Sequence, residues 1–115
     1  MKVGEYARLN NTLYNTVVIL KIMEVYDNTI LTENDGSIYQ GEYGKDEIIN
    51  HSYNIIDLIE VGDYVNGLKV IDILENDIYI SDYYAESYIG VVKVKDIKSI
   101  VTKEQFESME YKVGE

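Results

Sequence analysis

"KVGEYAR" (residues 2–8) and "EVGDYVN" (residues 60–66) stand 58 positions apart and say nearly the same thing: valine, glycine, an acid, tyrosine. Glycine lacks a Cβ and adopts positive φ freely, so it permits a sharp turn, and the tyrosine after the acid suits the start of a strand. A phrase repeated at this interval speaks of architecture. We read the chain as a tandem duplication, one unit over 1–59 and another over 60–115, with "IEVGD" (59–63) ending the first and opening the second. The alternative is one continuous sheet in which the tetrapeptide recurs by chance.

Working outward, the second unit parses cleanly. Asp63 to Val65 is a short strand, and Asn66-Gly67 is a two-residue hairpin turn, because both residues accept positive φ. "LKVIDI" (68–73) is rich in β-branched residues, a turn falls near Asn76, and "IYIS" (78–81) alternates. "DYYAES" (82–87) is a polar, aromatic loop. "YIGVVKVK" (88–95) sets Val92 and Val94 on one face and Val91, Lys93 and Lys95 on the other; Asp96 marks a turn, and "IKSIV" (97–101) is a fifth strand. The period then changes. Thr102 with Gln105 three residues later is a capping-box pattern, and Phe106 and Met109 share a helical face. Tyr111 to Val113 is a candidate edge strand.

The first unit shows the same order less cleanly. "GEYAR" (4–8) is a strand, 12–26 is a long β-branched stretch, and Asp27-Asn28 turns into "TILTE" (29–33). A loop "NDGS" (34–37) leads into "IYQGEY" (38–43), and "DEIIN" (46–50) precedes "SYNIIDLI" (52–59). That last segment matches "TKEQFESM" (102–109), with Ser52 for Thr102, Ile56 for Phe106 and Ile59 for Met109. Five short strands closed by a helical turn describe a small SH3-like barrel. The expected fold is therefore all-β: two tandem SH3-like β-barrel units, each closed by a short helix. Units of about 57 residues sit near the lower limit of independent stability, so they are expected to pack together or the chain to form a homodimer.

Composition bounds the function. The chain has 115 residues, 46% of them hydrophobic, and a net charge of −11 from ten basic and twenty-one acidic residues. Such a field repels nucleic acid and anionic membrane and favours a basic partner, although an acidic surface also simply keeps a small protein in solution. With no cysteine, disulfides and thiolate metal sites are excluded. No apolar core follows Lys2, so the start is not a signal peptide, and the longest apolar run, around "TVVIL" (16–20), is too short for a membrane span. The expected setting is the cytoplasm.

No constellation points to catalysis or to a cofactor. His51 is the only histidine, and its neighbour Ser52 makes no triad, which is a matter of geometry and not adjacency. "GEYG" (41–44) lacks the lysine-serine tail of a phosphate loop. "LTENDGSIYQGE" (31–42) places Glu33, Asp35, Gly36, Ile38 and Glu42 on a calcium-loop template, but Leu31 occupies the first ligand position and the flanks read as strands. A hairpin turn on Asp35-Gly36 explains the same letters. Lys93, Lys95, Lys98 and Lys103 could serve nucleic-acid binding, but lysines on an exposed strand also guard an edge against pairing.

The aromatic signal is stronger. Tyr79, Tyr83, Tyr84 and Tyr88 crowd ten residues and are interleaved with Asp77, Asp82 and Glu86. Tyrosine offers large contact area at low entropic cost. Carboxylates can stand in for phosphates and rings for bases in a groove that normally holds nucleic acid. The candidate partner-binding residues are Asp77, Asp82, Tyr83, Tyr84, Glu86 and Tyr88, with a weaker version in Glu42 and Tyr43. The opposing reading is that these tyrosines cover the mouth of a barrel.

The segments "NIIDLIEVGDYVNGLKV" (54–70), "IKSIVTKEQFESMEYKV" (97–113) and "MKVGEYAR" (1–8) resemble parts of a group of small uncharacterised proteins encoded by phages and prophages of low-GC Gram-positive bacteria. The resemblance covers roughly half the chain. It implies a viral origin and carries over no catalytic residue. With origin and charge together, the expected function is a non-enzymatic inhibitor, an acidic nucleic-acid mimic that binds a host defence protein. A CRISPR effector or another nucleic-acid-binding protein is the expected partner, with no direct nucleic acid, membrane, metal or cofactor. The alternatives are a structural or accessory phage module acting by self-assembly or scaffolding, and a protein that sequesters a signalling nucleotide through the lysines and Arg8.

Overall fold

The computed structural model describes residues 1–33, 36–81 and 89–109. The chain is mostly β and divides into two compact units, Met1–Ile59 and Glu60–Glu115. Each has its own five-stranded antiparallel sheet, so the continuous sheet is set aside. In the first unit β1 (Tyr6–Asn11), β2 (Thr16–Val25), β3 (Thr29–Thr32), β4 (Glu42–Gly44) and β5 (Ile48–Ser52) lie in the order β4-β3-β2-β1-β5. A 3₁₀ turn at Lys45–Glu47 joins β4 to β5, and another at Ile55–Leu58 follows. In the second unit β6 (Tyr64–Val65), β7 (Leu68–Leu74), β8 (Asp77–Ser81), β9 (Ile89–Lys93) and β10 (Ile100–Val101) lie in the order β10-β6-β7-β8-β9, the same order read from the other edge. A 3₁₀ turn at Val94–Asp96 precedes β10, and α1 (Lys103–Met109) follows it.

The repeated phrase is a repeated turn. Gly4 and Gly62 both take positive φ, +94° and +100°. Glu5 N–H donates to Lys2 O and Asp63 N–H to Glu60 O, closing each turn. The acid's own carboxylate then accepts the N–H three residues back, Lys2 in one unit and Glu60 in the other. Beyond the turn, Gly4 N–H reaches Ile22 O and Gly62 N–H reaches Val70 O, while the Ile22 and Val70 N–H groups return to Glu5 O and Asp63 O. The next residue, Tyr6 or Tyr64, pairs with Lys21 or Lys69. Both second strands then shift register just beyond, between Ile22 and Glu24 and between Val70 and Asp72. An extra residue bends a strand and strengthens its twist, which a small curled sheet requires. Met23 and Ile71, the residues at the two shifts, are both exposed.

Alternation builds the cores. Along β2, Thr16, Val18, Leu20 and Ile22 are buried while Val17, Ile19 and Lys21 are half-buried. With Ala7, Leu9, Ile30 and Tyr43 the apolar members of this row form the first core; among the described residues, Val65, Val70, Ile78 and Ile80 are the buried apolar residues of the second unit's strands. Each fully buried isoleucine or leucine contributes on the order of 1.5–3 kcal/mol. Asn66 (φ +52°) and Gly67 (φ +82°) form the expected two-residue turn, with Val65 paired to Leu68. The capping box is present: Thr102 N–H donates to Gln105 Oε1 and Gln105 N–H to Thr102 Oγ1, each at 3.1 Å.

Several boundaries differ from expectation. Ile38 and Tyr39 form a turn and Gln40 is irregular, with no strand over 38–40, because Thr32 and Gly41 close the loop with three hydrogen bonds, Thr32 N–H to Gly41 O, Thr32 Oγ1–H to Gly41 O and Gly41 N–H to Thr32 Oγ1. The strand expected over 88–95 ends at Lys93, and that over 97–101 shrinks to Ile100–Val101, because Val94–Asp96 turns instead. The first unit closes with a 3₁₀ turn and no α-helix, since Asn54-Ile55-Ile56 propagates a helix less readily than Lys103-Glu104-Gln105. The match of Ser52 to Thr102 is one residue out of register: Ser52 pairs with Tyr6, and Val101 with Tyr64. Tyr111 to Val113 lies outside the described residues.

Candidate functional site

The two units differ most in their first hairpin. Tyr6 pairs with Lys21 across a long β1–β2 hairpin, whereas Tyr64 pairs with Lys69 across a turn of two residues. The first unit therefore carries ten residues here that the second lacks, ending in the loop Thr12–Asn15. Asn11 shapes that loop: its Oδ1 accepts the Tyr14 N–H at 2.9 Å, and Asn15 takes a left-handed φ of +52°, which asparagine tolerates. The other end of Asn11 donates to Tyr43 Oη at 2.8 Å, and Tyr43 Oη donates to Tyr39 O at 2.6 Å. This chain of bonds ties the hairpin loop to β4 and to the long β3–β4 connection.

The result is a groove of about 240 Å³ between the two loops. Its apolar wall holds Leu13, 83% exposed, Ile38, 64% exposed, and Tyr14 and Tyr39, whose rings meet edge to face at 5.6 Å. Its acidic members are Glu42, exposed, and Glu47. Glu47 is held at both oxygens: Gly44 N–H donates to Oε1 at 3.0 Å and Thr12 Oγ1 to Oε2 at 3.3 Å. Among the described residues lining it there is no cation.

Of the residues expected to bind a partner, Asp77 is described and Asp82, Tyr83, Tyr84, Glu86 and Tyr88 lie outside the described residues. Asp77, on β8, faces Lys93 across the ladder to β9 and forms an ion pair with it. The hydrogen bond to Asp77 and its charge raise the pKa of the Lys93 ammonium. Tyr79 is half-buried between buried Ile78 and Ile80. The Glu42–Tyr43 pair divides, because strand alternation sends Tyr43 into the core at 4% exposure and leaves only Glu42 outside.

The other candidates acquire structural places. Leu31 and Glu42, the first and last positions of the calcium-loop template, are cross-strand partners on β3 and β4. His51 lies on β5, with Nδ1 3.1 Å from Glu5 Oε1, so it braces the opening turn. That bond, chiefly, and the Lys2 N–H hold the Glu5 carboxyl below its ordinary pKa although burial pushes the other way. Lys103 bonds Glu60 at 2.8 Å, which raises its pKa, and Lys98 N–H donates to Asn66 Oδ1 at 2.7 Å. The lysine stripe is thus spread over β9, a turn, a loop and α1. The groove itself is not visible in the sequence; Leu13 and Ile38, apolar residues set among turn formers, are its only trace. No known protein family, curated protein or solved structure matches the chain.

Proposed function

We propose that this chain is a non-enzymatic binding protein of phage or prophage origin. It engages a host nucleic-acid-handling defence protein, of the kind represented by CRISPR effectors, in the host cytoplasm. The observation that carries this reading is the net charge of −11 together with the exposure of Glu24, Asp27, Asp46, Asp57, Asp72, Glu75 and Asp96. A surface of this kind steers a basic groove towards it and competes with a phosphate backbone. The shared sheet order and the 3₁₀ turn before each fifth strand support two SH3-like units.

An affinity capture from host lysate over a salt series tests it. Retention of one nucleic-acid-handling protein that falls steeply with salt is the expected result; recovery of only phage proteins, or none, overturns it. The duplicated opening turn favours a second reading, a passive connector within a phage assembly. That reading expects self-association in sedimentation velocity and indifference to host nucleases.

A further inference from the structure

We infer that the groove on the long hairpin of the first unit takes a peptide segment in which an arginine adjoins an apolar side chain. The inference rests on the reading of the chain as an acidic binding protein and gives that reading a specific contact.

Size decides the class of ligand. Small-molecule and cofactor pockets run from roughly 300 to 1,000 Å³, and this groove, at about 240 Å³, falls below them. It has room for individual side chains projecting from a segment that otherwise lies outside. Leu13 and Ile38 expose apolar surface, 83% and 64%, and exposed apolar residues mark an interaction site when they gather in one place. Isolated exposed leucines need no explanation, but these two share a groove with two tyrosines whose rings are already locked edge to face. Rings fixed in advance bind at low entropic cost.

Charge selects the partner. Glu42 and Glu47 border the apolar wall with no cation among the described lining residues, within a chain of net charge −11. An acidic or neutral apolar segment would leave these carboxylates facing its own charge or none. Glu47 is preoriented by Thr12 and Gly44, one bond to each oxygen, and each carboxylate oxygen has a second lone pair to offer a cation. Guanidinium matches that geometry as a two-pronged donor and also stacks on tyrosine, neither of which an ammonium does as well. The second unit, with its two-residue turn at Asn66-Gly67, has no equivalent hairpin loop, so the groove belongs to the first unit alone.

The test uses the full chain and defined peptides. Acetyl-Gly-Leu-Arg-Leu-Arg-Gly-amide is titrated into the ¹⁵N-labelled protein and compared with versions carrying glutamate for arginine or alanine for leucine. Saturable amide shifts centred on Leu13, Tyr14, Ile38 and Tyr39 are expected, and both altered peptides should bind more weakly. Glu47→Gln and, separately, Ile38→Ser should each lower affinity by about fivefold or more, the factor equal to ~1 kcal/mol. Ile38 is so exposed that its variant cannot fail merely by unfolding. Shifts that do not saturate by about 1 mM, or that spread over the acidic surface and ignore both substitutions, overturn the inference. Peptide failure with a salt-sensitive partner still captured would remove the groove and leave the general function standing. Peptide binding with no such partner would do the reverse.

Discussion

The buried carboxylate of Asp63 accepts the backbone N–H of Lys103 at 2.9 Å through one oxygen, while its other oxygen accepts the N–H of Glu60 at 2.8 Å. One side chain thereby closes the opening turn of the second unit and holds the first residue of α1, forty positions away in the chain. Asp63→Ala should therefore cost about 2–3 kcal/mol of unfolding free energy, the range for removing hydrogen bonds to a buried charge. Asp63→Asn, which keeps one acceptor oxygen, should cost less. Urea denaturation reads both, and an alanine variant within about 0.5 kcal/mol of the parent would show that the tie is not structural.

Asn66 has two duties. It takes the left-handed φ of the β6–β7 turn, and its side chain donates to Asp96 O at 3.0 Å while accepting the N–H of Lys98 at 2.7 Å and of Ser99 at 3.1 Å. Asn66→Gly keeps the backbone and loses the side chain; Asn66→Ala loses both. We expect a graded loss, about 1 kcal/mol for glycine and about 2 kcal/mol for alanine, with the 96–99 segment gaining hydrogen exchange in both. A glycine variant as stable as the parent would mean that the side-chain bonds contribute nothing, and equal costs for the two would mean that the left-handed φ contributes nothing.

Acid sensitivity should trace partly to Glu5. Its folded-state pKa lies below the ordinary 4.5 because of the His51 and Lys2 bonds. A depressed carboxyl contributes stability that is present above its unfolded-state pKa and is lost as pH falls through the folded-state value. Stability should therefore fall as the pH drops below about 4.5, and His51→Ala should flatten that loss. Unfolding curves recorded from about pH 6 to about pH 3 decide it; identical slopes in parent and variant would exclude the pair as a source.

Reversal of Asp82 and Glu86 to lysine should weaken partner binding with much less effect on melting temperature. Unchanged affinity would remove this segment from the interface. Asp77 should behave differently, because it is already paired with Lys93, with side-chain exposures of 33% and 56%. Asp77→Asn is expected to change stability by no more than about 1 kcal/mol and affinity less than the double reversal does. Surface plasmon resonance at two salt concentrations separates these effects.

What could be read from the chain was what depends on neighbours in sequence. The φ demanded at Gly4, Gly62, Asn66 and Gly67 is a property of those residues, and the Thr102–Gln105 box closes within three positions. Hydrophobic alternation along 16–22 and 77–81 likewise declares which side faces a core. Element ends were less legible. Thr32 and Gly41 close a loop by bonds across nine positions, and this overrode the strand-like letters of "IYQ" (38–40).

By itself, then, the sequence determined the β character, the repeated opening turn and the acidic balance, because these follow from backbone preference, side-chain period and summed charge. Only the tertiary structure decided which acids and aromatics are available. Tyr43 looked like a surface partner of Glu42 but fills the core, and Asp77 looked free but is matched with Lys93. The groove of Leu13, Tyr14, Ile38 and Tyr39 joins two loops twenty-five positions apart through Asn11 and Tyr43. Such a site exists only once strand pairing has brought distant residues together, and no local pattern encodes that distance.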